Sequence, residues 1–222
     1  PKEITVPIND ALALKAVLVK PGSFTIGTED AEDVTETPAT KIEITYPYYI
    51  GMYEVTVAEY AAYLNEKPPR KTAIKTMDLD TMGLTLTDGT WAPKEGADRL
   101  PVRAMTHLAA RRFGEWLGEK TGLEITLPTE VEWEYAARGP ESRVYPWGDD
   151  WEAGIACAGQ FKKPDEVGEF VDCVSWCGAQ DMAGNVFEWT SDEYVKMRYQ
   201  KIESRDPKPV DGGSSSGFRV VR

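Results

Sequence analysis

Few residues in this chain can do chemistry, and their scarcity decides more than their presence. There is one histidine, His107. A single imidazole cannot build a site made of two or three, which excludes histidine-rich zinc and iron centres. Three cysteines occur, Cys157, Cys173 and Cys177. An odd count excludes a fully paired disulfide framework and leaves room for one bridge at most within the chain. Cys173 and Cys177 are spaced so that their sulfurs meet only on a helix face or in a tight turn. Free cysteine is among the most buried residue types, so buried thiols are expected there, with a disulfide and a redox or metal pair as alternatives. Near the C-terminus, Tyr194, Met197, Arg198 and Tyr199 fall within Glu193 to Gln200. These types are enriched at interface hot spots, although an ordinary amphipathic strand or loop has the same look.

The elements that must position these residues are legible in part. Ala13 to Lys20 and Lys41 to Tyr46 read as strands, broken by Pro21-Gly22 and Pro47. Glu29 to Glu36 reads as an acidic surface loop. Thr56 and Glu59 form a capping box that opens a helix to about Asn65, with Val57, Tyr60, Ala61 and Leu64 on one face. Arg70 to Gly96 reads as a long loop or small hairpin with Asp88-Gly89 as the turn. A second helix is predicted from Ala104 to Lys120, stopped at Thr121-Gly122. His107 lies off its apolar face with no carboxylate or cysteine near it in sequence, which points to a surface or structurally bonded side chain, not a base. Thr129 and Glu132 open a third, short helix over Val131 to Arg138. Trp133, Trp147 and Trp189 are expected to be mostly buried, as anchors of otherwise loop-rich segments. No repeat or linker divides the chain, so one domain over residues 1–222 is expected.

Charge narrows the partners. Against 25 basic residues stand 37 acidic ones, a net charge of −12. That balance argues against nucleic acid, which demands a basic stripe. Mean hydropathy is −0.42, and no apolar run approaches the roughly 20 residues of a membrane span. No leader pattern begins at Pro1, as expected of a cytosolic chain or of one already processed.

Three ordered stretches are specific enough to compare with a known family. They are Gly51-Met-Tyr-Glu-Val-Thr56, then Leu127-Pro-Thr-Glu-Val-Glu-Trp-Glu-Tyr-Ala-Ala-Arg-Gly139 with Tyr145-Pro-Trp-Gly148, then Asp181-Met-Ala-Gly-Asn-Val-Phe-Glu-Trp189 with Gly217-Phe-Arg-Val-Val221. With Val19 to Gly27 as an opening motif, the chain resembles the formylglycine-generating enzyme family from about Leu18 to Arg222. The resemblance implies an α+β, irregular C-type lectin-like fold with two main helices and short twisted antiparallel strands. It also implies a structural Ca²⁺ held by Asn185, Val186 and Glu188, through an amide oxygen, a carbonyl and a carboxylate. Such hard oxygen donors suit calcium. The alternative is that Asn185 and Glu188 only tie down loop backbone. A second calcium site of the family would fall around Cys157.

The family's copper-binding cysteine pair lies between Gly-Gly-Ser and the terminal Gly-Phe-Arg. Here Gly212-Gly213-Ser214 is followed by only two serines before Gly217, and no cysteine follows Cys177. No copper is therefore expected, because cuprous ion needs soft thiolates. Nor can one histidine supply the iron triad of the sulfoxide-forming branch. Two functions follow from the resemblance. One is a non-catalytic binding protein, of the kind found among variable proteins of diversity-generating retroelements. It would present Tyr194, Met197, Arg198, Tyr199 and Gln200, all exposed, to a protein or carbohydrate at a virion or cell surface. The other is an oxidoreductase of the formylglycine-generating type whose cysteine-bearing loop lies outside this sequence.

Overall fold

In this computed structural model, residues 2–29, 37–152, 163–194, 198–209 and 219–221 are described. Cys157, Met197 and most of the acidic Glu29 to Glu36 loop lie outside them.

Alternation of apolar and polar residues builds the first sheets. β1 (Glu3–Pro7) pairs antiparallel with β2 (Ala13–Val19), and β2 pairs with β5 (Tyr48–Gly51). β3 (Gly22–Ile26) pairs with β4 (Thr40–Ile44), placing Phe24 and Ile26 against Ile42 and Ile44 in the core. Lys41 and Glu43 point the other way, into water, as a period of two requires. Gly22 must be glycine, since a Cβ there would meet the Tyr135 hydroxyl at 2.3 Å.

Five helices follow: α1 (Val57–Glu66), α2 (Lys71–Ile74), α3 (Leu79–Met82), α4 (His107–Thr121) and α5 (Glu130–Arg138). The two capping boxes form as the sequence predicts. Glu59 N–H donates to Thr56 Oγ1 at 3.3 Å and Glu132 N–H to Thr129 Oγ1 at 3.1 Å, with each glutamate accepting from its cap backbone in return. α1 and α4 are the longest helices, and they meet through rings. Tyr60 lies 6.0 Å from Phe113, and Tyr63 5.3 Å from Trp116. Between them in sequence, β6 (Leu84–Thr87) and β7 (Thr90–Pro93) form the anticipated hairpin. Asp88 and Gly89 both take positive φ, 52° and 83°, which matches the right-handed twist of the strands. β8 (Trp189–Glu193) pairs with β9 (Arg219–Val221). Few helices and small antiparallel sheets make this the α+β fold expected, and among the described residues no helix is long and apolar enough to cross a membrane.

Trp133, Trp147 and Trp189 are mostly buried, as expected, though less deeply than Trp91 and Trp116. Each motif tryptophan uses its Nε1–H as a tether, to Glu188 Oε1, Asp150 O and Met105 O respectively, all at 3.1 Å. A polar edge of this kind keeps an indole near the surface. Tyr199, expected on an exposed display face, is only 3% exposed. It opens the 3-10 turn Arg198–Gln200 into the core, with its hydroxyl donating to Glu130 Oε1 at 2.8 Å. Of its neighbours, Tyr194 and Gln200 are exposed, and only the backbone of Arg198 is described.

Candidate functional site

The segment after β5 and the loop before β8 meet at a cavity of about 540 Å³. Ile50, Val102, Phe113, Ile125, Trp133 and Trp189 form apolar walls, and Glu54, Asn185, Val186 and Glu188 also line it. This is the size and character of a small-molecule site: mostly apolar, with a few placed polar groups.

The acids are the unusual feature: Glu54 and Glu188 line the cavity, and Asp181 stands close enough to act on Glu54. Glu54 is 8% exposed and neither carboxylate oxygen finds a hydrogen bond; Asp181 is 4% exposed and its Oδ1 is likewise unpartnered. Asp181 Oδ2 does accept from Gly168 N–H at 2.6 Å. Glu188 Oε1 accepts from Trp133 Nε1–H. The Asn185 amide faces Glu54 but is spent on backbone, accepting from Asp165 N–H at 3.0 Å and donating to Asp165 O at 3.3 Å. Asn185 thus ties loop backbone, whereas Glu188 is tied to the Trp133 indole.

Burial, then the charges of Glu188 and Asp181, push Glu54 well above the usual carboxylate range. Burial also raises Asp181. Glu188 is lifted by burial to about 7, against the opposing Trp133 hydrogen bond and with a contribution from Asp181. Glu134 shows the usual solution for a buried acid: Arg138 Nη1 stands 2.5 Å from its Oε1, and Gly27 N–H donates to the same oxygen. No basic side chain among the described residues pairs with Glu54 in this way. Uncompensated buried carboxylates are costly. All-oxygen donors with spare lone pairs are what a hard divalent cation takes, so the residues fit calcium. Among the described residues no three His, Cys, Asp or Glu side chains converge as a ready metal cluster, so amide and carbonyl oxygens would have to complete a cage.

Asn185, Val186 and Glu188, which the resemblance named for calcium, all line this cavity, whereas Glu54 on its wall and the neighbouring Asp181 were not named. A signal existed, since each acid stands beside a methionine inside a motif that packs into the core, Met52-Tyr-Glu54 and Asp181-Met182.

The thiols and the imidazole are elsewhere engaged. Cys173 and Cys177 are free, and burial pushes the Cys173 thiol up to about 11. Cys177 Sγ lies 3.3 Å from Ser175 Oγ and donates to Ala136 O at 3.5 Å. The raised Cys173 thiol is not a poised thiolate. His107 Nε2 is 3.2 Å from Thr190 O, and its ring stands edge-on to Trp189 at 5.8 Å. A copper site of thiolates and an iron site of imidazoles do not fit these residues.

Comparison with known proteins agrees with the geometry. The model of the sulfatase-modifying factor enzyme 1-like domain matches residues 6–222. The chain belongs to this family. It is similar to the serine/threonine-protein kinase pkn1 of Chlamydia pneumoniae, 27% identical over 97% of this chain and 33% of that protein. It is also similar to the hercynine oxygenase of Mycolicibacterium thermoresistibile, 29% identical over 97% of this chain and 53% of that protein. The chain thus spans a third to a half of the length of these curated relatives. Among solved structures, PvdO from Pseudomonas aeruginosa superposes with a TM-score of 0.71 at 23% identity, over 94% of this chain and 81% of that one. That likeness bears on the fold.

Proposed function

We propose that this domain is the substrate-binding part of an oxidase-type member of the sulfatase-modifying factor family. The observation that carries the reading is the 540 Å³ cavity, lined by family-motif residues and walled by indoles. An oxygenase relative that matches nearly the whole chain yet is about twice as long supports it. The domain contributes shape, apolar contact and orientation. No redox step is assigned to its own side chains, because Cys177 and His107 face backbone carbonyls, Cys173 is buried, and the sequence lacks the family's cysteine pair. The soft or imidazole donors would come from polypeptide outside these residues.

Calcium belongs to the same reading. Asn185, Val186 and Glu188, joined by Glu54, would hold the ion. When bound, it would neutralise the buried acids and brace the loop before β8.

The test is ligand binding followed by indole fluorescence, using a library of small aromatic acids, amides and amines. Saturable binding that is lost when Ala110→Trp fills the cavity supports the reading, and the absence of any binder overturns it. Oxidation of a bound ligand, or of a Cys-x-Pro-x-Arg peptide, by this chain loaded with copper alone would show that the redox donors lie within it.

A second reading, a binder without chemistry, draws on the missing thiol pair. Its display surface is reduced to Tyr194 and Gln200 among the residues whose side chains are described, because Tyr199 is buried. The retroelement variety gains no support from the relatives named above. Ligand binding that never leads to oxidation, even in the longer natural protein, would favour this reading.

A further inference from the structure

We propose that Arg103 anchors a carboxylate in this cavity, so that the ligand is an organic acid with an apolar body. The inference rests on the cavity being a ligand site and names what enters it.

Arg103 lines the cavity, is partly buried, and has no hydrogen-bond or ion-pair partner among the described residues. That is unusual in a chain with twelve more acids than bases. Other arginines have found carboxylates: Arg99 with Glu166 at 3.2 Å, Arg111 with Glu115 at 3.1 Å, and Arg138 with Glu134 at 2.5 Å. Arg70 and Arg112 lack such pairs but stand in solvent, where water suffices. Arg103 alone, among the described arginine side chains, is both partly withdrawn from water and without an acid.

The surroundings favour an anion at this end. Nothing that raises Glu54, Asp181 or Glu188 is opposed by Arg103, so the guanidinium does not neutralise the acids. The chain turns sharply past it, with Ala104 at φ 55°, a left-handed value that a non-glycine residue holds only when its surroundings impose it. Thr106 then caps α4, whose first turn carries no acid. The positive end of a fifteen-residue helix therefore follows the arginine closely. A guanidinium fork matches a planar carboxylate through two parallel N–H···O bonds. Phe113, Trp133 and Trp189 offer the apolar contact for the remainder. A single cation, in a cavity that Glu54 and Glu188 also line, suits a monoanion better than a phosphate dianion.

The experiment compares 3-phenylpropionate with its neutral amide, 3-phenylpropionamide, on the whole chain, by indole fluorescence and saturation-transfer NMR. The acid is expected to bind about tenfold tighter than the amide, the usual scale of a charge-assisted pair. Arg103→Met should erase that preference, bringing the acid down to the level of the amide, and Arg103→Lys should restore part of it. Equal binding of acid and amide to the wild type, or a preference that survives in Arg103→Met, overturns the anchor and leaves the cavity reading standing. If Arg103→Met does not fold, Arg103→Lys decides: an undiminished preference there rejects the bidentate fork. Binding of neither probe to the wild type overturns the anchor, and the cavity reading falls with it only if the whole library of acids, amides and amines also fails to bind.

Discussion

The core between α1, α4 and the β6–β7 hairpin is made of rings and branched aliphatics, whereas the core beneath β3, β4 and α5 borders the buried acids. Tyr60, Tyr63, Phe113 and Trp116 contact one another in the first, with centroids 5.3–6.0 Å apart. Its polar edges are closed by ordinary bonds, such as Trp116 Nε1–H to Glu66 Oε2 at 3.1 Å. In the second, Met52 and Met182 pack inward while Glu54 and Asp181 beside them keep unpartnered oxygens. The difference teaches that the two halves answer to different agents: one to packing alone, the other to packing and to the charge placed among its acids.

Breaking the first core should give the largest effect. Trp116→Ala removes an indole that is 3% exposed and should lower unfolding free energy by about 3–5 kcal/mol. Urea denaturation measures it. The loss should be the same in calcium and in chelator, and a loss that depends on the ion would erase the distinction between the cores.

The second core should respond to the ion. Calcium at a hundredfold excess over its dissociation constant should add about 2.7 kcal/mol. Hydrogen exchange in chelator should loosen residues around Asp181 to Trp189 first and leave α1 and α4 protected. Glu54→Gln should abolish the gain without weakening the metal-free protein, because burial and the neighbouring acids already favour a neutral side chain there and the amide keeps its shape. Melting curves that superimpose with and without calcium would reject the cage.

A smaller effect, of known sign, comes from pH. In the metal-free protein Glu54, Asp181 and Glu188 are raised, so the fold favours their protonated forms. The stability linked to Glu188 is fully present below the ordinary glutamate value of 4.5 and is lost as pH rises through about 7. Glu54 extends that loss to still higher pH. The gap between calcium and chelator melts should therefore widen from about pH 5 to about pH 8, by roughly 2 kcal/mol. A gap that narrows over that range would mean the acids do not bind the ion.

How legible these regions were in the sequence follows from their physics. Helix-side packing could be read because caps and 3.6-residue spacing are local: Thr56 with Glu59, then Val57, Tyr60, Ala61 and Leu64, settle α1 without any distant contact. The Asp88-Gly89 hairpin is equally local. The acid-bearing site could be read only through family resemblance, since Glu54 and Asp181 are 127 residues apart and nothing in their spacing brings them together. The role of Tyr199 was hidden for the same reason. Its composition fits an exposed hot spot, yet its partner Glu130 lies 69 residues away.

That tyrosine supplies the smallest and most discriminating test. Tyr199 closes a chain of contacts on the acid-bearing side: its hydroxyl reaches Glu130 Oε1, Glu130 N–H reaches Asp192 Oδ2 at 2.6 Å, and Thr40 Oγ1 donates to the Tyr199 carbonyl at 3.1 Å. Tyr199→Phe keeps the buried ring and removes one hydrogen bond, so it should cost about 1 kcal/mol in thermal or urea unfolding. An exposed display residue would cost nothing. Because the Tyr199 bonds described run to Glu130 and Thr40, its loss should add to calcium removal without coupling to it. If the double perturbation departs from additivity by more than about 0.5 kcal/mol, the acid cluster and the Glu130–Tyr199 network form one cooperative unit, and the boundary between ion-dependent and ion-independent packing must be drawn beyond α5.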